Sequence, residues 1–90
     1  MRNEQNSYIR RKAHQGDAMV QYNLGVLYAT GWGVPQDVIE AHLWLSMAAA
    51  QGNKMAAQEH DRVGMKMTPD EIAEAQRLAQ QCQTQELKGC

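Results

Sequence analysis

Ninety residues confine the chain to one small domain, and 10 acidic residues against 9 Lys and Arg give a formal net charge of −1 with pI near 6.3. No bulk field therefore draws it to nucleic acid or to an anionic membrane. No apolar run reaches the roughly 18 residues of a spanning helix, and residues 1–15 lack the apolar segment of a secretory signal. Membrane insertion is not expected; a soluble chain is, cytoplasmic as it stands and periplasmic if a leader has been removed.

Taken in chain order, the pattern predicts five helices. The first runs from about Glu4 to His14 and is stopped by Gly16 in a left-handed conformation. Arg10, Arg11 and Lys12 gather near its end, where cations complement the helix dipole rather than bind phosphate, and His14 is expected to cap carbonyls there. Asp17 starts the second helix, in which Val20, Leu24, Leu27 and Tyr28 recur at i, i+4, i+7 and i+8. It ends at Gly31. In the turn Gly31-Trp32-Gly33-Val34-Pro35, the glycines permit positive φ, Val34 plugs the gap between helices and Pro35 fits the first turn of the third helix. Asp37 sits in that turn and favours the dipole. Trp32 is either packed on a neighbouring helix or offered to a partner.

The third helix extends to about Gln51 and buries some of Val38, Ala41, Trp44, Leu45 and Ala48, with His42 on an exposed face; Gly52 stops it. The fourth, about Asn53 to Lys66, carries Ala56, His60, Val63 and Met67 at apolar spacing. His60 is expected to be half-buried and hydrogen-bonded, because a polar group on an apolar stripe must find a partner. Thr68-Pro69-Asp70-Glu71 forms a capping box that launches the last helix, with Ile72, Ala75, Leu78, Ala79 and Cys82 inward and Glu74, Arg77 and Gln81 in water.

A period of 36 residues underlies these elements. Ala13-His14-Gln15-Gly16-Asp17 returns as Ala49-Ala50-Gln51-Gly52-Asn53, Met19 as Met55, and Tyr8-Ile9 as Trp44-Leu45. Repeats of this length mark a solenoid, in which no unit buries its apolar face alone and neighbours must stack. The expected fold is therefore all-α: a short α/α solenoid of antiparallel helical hairpins. Residues 1–15 are a half-repeat helix lacking its own first helix, 16–51 a full repeat, 52–67 a partial repeat and 68–86 a capping helix.

Three sets of residues carry a family resemblance. Ala13-x2-Gly16-Asp17, then Leu24-Gly25-x2-Tyr28-x2-Gly31-x-Gly33-Val34-x2-Asp37-x3-Ala41-x2-Trp44, then Ala48-Ala49-x-Gln51-Gly52 together resemble one full Sel-1-like repeat, of the tetratricopeptide-related α/α class. The likeness covers roughly residues 7–53. The stretch Ala56 to Ala79 is similar to the way bacterial chains of this family finish. What the resemblance implies is a protein-interaction adaptor that holds a peptide or protein on the concave side of the stack.

The residues offer no competing chemistry. His14, His42 and His60 have no carboxylate or cysteine at ligand spacing, so no metal and no cofactor is expected. Gly31-x-Gly33 follows a helix and lacks both a third glycine and a Lys-Ser/Thr ending, so it is a turn and not a phosphate loop. Cys82 and Cys90 both fall in the tail outside the repeat frame, without redox spacing; Cys82 is read as packing on the last helix and Cys90 as a frayed end. No serine or threonine has a positioned base, and no catalysis is expected. The first helix of each repeat then offers the candidate groove: Met19, Tyr22, Asn23 and Val26, with Met55, Gln58, Glu59 and Arg62 one period on, and Trp32 at the rim. Met19 and Met55 are read either as core or as soft surface contacts. Asn23 and Arg62 suit a peptide backbone or carboxylate. The alternative is a structural unit that self-assembles into a homodimer or helix-exchanged dimer, covering the apolar face of the first helix.

Overall fold

The computed structural model describes the backbone of residues 4–84 and the side chains of residues 8–81. Within them lie five α-helices and no strand: α1 Glu4–His14, α2 Ala18–Thr30, α3 Val38–Ala50, α4 Lys54–Gly64 and α5 Pro69–Thr84. These are the predicted helices, shifted only at their ends, and they form a short helical solenoid. None of the described helices is long and apolar enough to cross a membrane.

Short polar side chains fix the starts. Asp17 Oδ1 accepts from the Val20 amide at 3.1 Å, and Asn53 Oδ1 from the Ala56 amide at 2.9 Å, one period later. Asp37 Oδ1 accepts from both Ile39 and Glu40 amides at 3.1 Å. Such a cap contributes about 1 kcal/mol by satisfying amides that a first turn leaves free. Asp37 is thus the cap of α3 and not a residue of its first turn, and Pro35 lies in the preceding loop, contrary to the sequence expectation. That loop is folded back onto α2 by the Asp37 amide bonding Tyr28 O at 2.9 Å and Gln36 Nε2 bonding Ala29 O at 2.8 Å. The capping box forms in both directions, Glu71 N donating to Thr68 Oγ1 at 3.1 Å and Thr68 N to Glu71 Oε1 at 2.9 Å. The stops obey the period as well, with Gly16 at φ 94° and Gly52 at φ 95°.

The hairpin of α2 on α3 is the heart of the core. A Cβ placed on Gly25 would stand 2.6 Å from Leu45 Cγ and 3.3 Å from Ala41 O, so the missing side chain is what lets the two helices approach. Leu24, Tyr28, Trp44 and Leu45 fill the contact. Complete burial of a leucine such as Leu24 or Leu45 stabilises by about 2 kcal/mol. Gln21, fully buried beside them, donates through Nε2 to Ala13 O at 3.0 Å and accepts at Oε1 from Gln51 Nε2 at 2.9 Å. It ties the end of α1 to the end of α3 through α2.

α3 is wrapped by α2, α4 and α5, while α1 covers α2. Ala41, His42, Leu43, Trp44 and Leu45 are buried in succession, as in a helix with neighbours on three sides. His42 is therefore only 2% exposed, and the expectation of an exposed face is overturned. The second copy is built differently. α4 buries Ala56 and Val63, the connection after it buries Met67, and α5 lays Ala75 and Ala79 inward, yet α5 packs on α3 and makes little contact with α4. The side chains of Cys82 and Cys90, and the stretch 85–86 assigned to the capping helix, lie outside the described residues.

Candidate partner-binding surface

α2 and α4, the first helices of consecutive copies, are neighbours. Met19 and Met55, equivalent by the period, are 51% and 49% exposed, which favours surface contacts over core packing. Trp32 is 79% exposed at the tip of the α2–α3 turn, so its indole is offered outward. Asn23, Gln58 and Arg62 are exposed, while Tyr22, Val26 and Glu59 are half-buried. Arg62 approaches Glu59 at 3.8 Å, an open i,i+3 pair that contributes little to stability.

Where the far ends of α2 and α4 converge, they enclose a shallow cleft of about 230 Å³. Ala29 and Thr30 line it from α2, Gln36 and Val38 from the loop and start of α3, and Glu59, Arg62, Val63 and Lys66 from α4 and its end. Of the predicted groove, only Glu59 and Arg62 enter it; Met19, Tyr22, Asn23, Val26, Trp32, Met55 and Gln58 lie outside. Among the lining residues outside the predicted groove, two had a signal, since Thr30 stands one turn beyond Val26 and Lys66, just past the end of α4, one turn beyond Arg62. Gln36 and Val38 had none, because the loop's return over α2 sets their place. Arg62 and Lys66 against Glu59 leave the cleft with one excess positive charge.

Several other polar side chains are engaged with aromatic groups or with each other. Arg10 donates to the Tyr28 hydroxyl, and Lys12 Nζ lies 6.0 Å from the centre of the Tyr8 ring, so two of the three clustered cations rest on aromatic groups. His14 stands edge-on to Trp44 with ring centres 5.2 Å apart, and Trp44 Nε1 donates to Glu40 Oε1 at 3.2 Å. His60 is half-buried, its Nδ1 3.3 Å from Asp61 Oδ1, as expected of a polar group on that stripe. Its ring lies 3.9 Å from that of His42, tilted by 35°. Burial, and then the neighbouring His60, lower the His42 pKa to about 4, against a weaker opposing pull from Asp61.

The family model of the Sel1 repeat matches residues 18–53, spanning α2, the glycine turn, α3 and the cap of α4. That stretch, 36 of the 90 residues, is similar to one Sel1 repeat. A sel1-like repeat-containing protein of Acanthamoeba polyphaga mimivirus is 37% identical over 46 residues, which are 51% of this chain and 8% of that relative. The chain thus spans under a tenth of the relative's length. Sel1 repeats are generally protein–protein interaction modules, and the matched segment 18–53 supplies the α2 side of the cleft while α4, just beyond it, supplies the other.

Proposed function

We propose that this chain is a non-catalytic adaptor whose Sel1 repeat and following helix hold a peptide or protein across α2 and α4. The observation that supports this reading is the cleft between those helices, with its excess positive charge, accompanied on the same two helices by the half-exposed Met19 and Met55. Methionines accommodate varied apolar contours, and an exposed tryptophan such as Trp32 is the side-chain type that most often dominates binding energy. The favoured occupant is a segment that pairs an apolar side chain with a carboxylate, the latter meeting Arg62 and Lys66.

Site-specific photo-crosslinking tests this directly. A photoreactive residue at Trp32 or Asn23 should form adducts with a partner protein, and one at the exposed Gln76 of α5 should not. With that partner in hand, charge reversal in an Arg62→Glu, Lys66→Glu variant should weaken binding at least tenfold, about 1.4 kcal/mol, while an Arg77→Glu control leaves it unchanged. Equal adducts at Gln76 would sink the proposal. Adducts of the chain with itself would replace the adaptor by a homo-oligomer.

A further inference from the structure

The fold buries one titratable group that the α2–α4 cleft does not use. His42 projects from the wrapped helix α3, its Nδ1 has no hydrogen-bond partner, and its ring is covered by α4 at two successive turns. His60 stacks on it at 3.9 Å, and one turn on, Gly64 passes beside the ring, where a Cβ would stand 3.7 Å from His42 Nε2 in ordinary contact. A neutral imidazole tolerates this position, since one nitrogen can remain a lone pair. An imidazolium carries an N–H on both nitrogens, and at Nδ1 that donor would be buried with no acceptor.

We propose that the His42–His60 stack is a pH-sensitive latch, which seats α4 on α3 while the buried His42 is neutral and loosens α4 on acidification. Freed into water, the His42 imidazole titrates near 6.5, whereas in place it is held to about 4. Above pH 6.5 neither the seated nor the freed form carries the proton. Between 6.5 and 4 only the freed form does, so each unit of acidification within that window favours the freed form by up to tenfold. Of the groups that face His42, only Asp61 opposes the lowering of its pKa, and it is the weakest. From α4 come His60, whose charge would repel a second one, and Asp61, 83% exposed and a weak counterweight. α2 contributes no charged side chain, and the charges of α5 are engaged or sit on its outer face: Glu71 caps the helix, Glu74 is paired with Arg77 at 2.7 Å, and Asp70 is exposed in its first turn. On α3 itself, Glu40 accepts from Trp44. Because α4 and its end supply Glu59, Arg62, Val63 and Lys66 to the cleft, the latch controls half of that wall whatever occupies it.

Hydrogen exchange of the whole chain at pH 7.5 and 5.5, corrected for intrinsic rates, reads the latch. Protection of amides 57–64 should fall about tenfold between the two pH values in the native sequence. It should be unchanged in His42→Phe, which keeps a ring and removes the proton site. A pH-independent protection of α4 in the native chain, or an equal fall in the variant, overturns the proposal. Should His42→Phe fail to fold, NMR titration of the native His42 ring decides: a midpoint well below 6 supports the latch, and a midpoint at 6.5 overturns it.

Discussion

α2 and α4 occupy the same place in consecutive copies of a 36-residue period, and they solve different problems. In α2, Gln21, Leu24, Gly25 and Tyr28 are all buried, because α3 closes tightly over that face. The matching positions of α4 are Ala57, His60, Asp61 and Gly64, of which Ala57 and Asp61 are exposed. Asp61 stands where Gly25 brings two helices together, and a carboxylate cannot occupy a contact in which even a Cβ would meet Leu45 at 2.6 Å. The connection differs too: residues 31–37 return the chain over α2, but the shorter 65–68 leads into a capped helix that packs on α3 instead. Equal period thus does not mean equal packing. A face left uncovered is polar, and the residue that once permitted close approach becomes a charge.

Paired substitutions at matching positions break or sharpen this contrast. Leu24→Ala should cost about 3 kcal/mol through lost burial and a cavity, whereas His60→Ala at neutral pH should cost under about 1 kcal/mol, both read by urea unfolding. Similar costs would mean that the two helices are packed alike. Next, Gly25→Ala should destabilise by about 2 kcal/mol, since Leu45 and the Ala41 carbonyl must shift. Its counterpart Asp61→Ala should stay within about 0.5 kcal/mol. A smaller effect comes from pH. His42 has a folded pKa depressed below its unfolded value, so the unfolded state binds the proton first and stability falls as pH drops from 6.5 towards 4. Going from pH 7.5 to 5.5 should remove about 1.4 kcal/mol, a loss that a melt series on His42→Phe should not show. Smallest, Thr68→Ala should cost about 1 kcal/mol, because α5 is anchored by its own cap and by α3 rather than by a hairpin with α4.

Much of the fold was legible because its signals are local. Asp17 and Asn53, Gly16 and Gly52, and the Thr68–Glu71 box act within four residues of themselves, so their roles follow from spacing alone. The environment of His42 is not local. A stripe reading assigns one buried face per helix, and α3 has neighbours on three sides; the clue was the run from Val38 to Ala50, apolar at nearly every position. Gln21 was hidden for a related reason, its polarity masking a position three before Leu24 and seven before Tyr28. The cleft was less legible, since only Glu59 and Arg62 of its lining fall on the groove read from the period. Periodicity names the faces of α2 and α4, but which turns converge into a cleft depends on how the two helices cross.

Gln21 carries a consequence for how the chain chooses among its own alternatives. Methyl groups on α1, α2 and α3 would find comparable company if one helix slid or rolled by a turn against the others. A carboxamide is less forgiving, since it needs a carbonyl at one end and an amide donor at the other, and Ala13 O and Gln51 Nε2 offer both in only one alignment. Every slipped arrangement strands a polar group in a dry interior at about 1–3 kcal/mol. Gln21 therefore works as a proofreader of helix alignment: it adds little to the correct stack and penalises the near misses that apolar burial cannot tell apart.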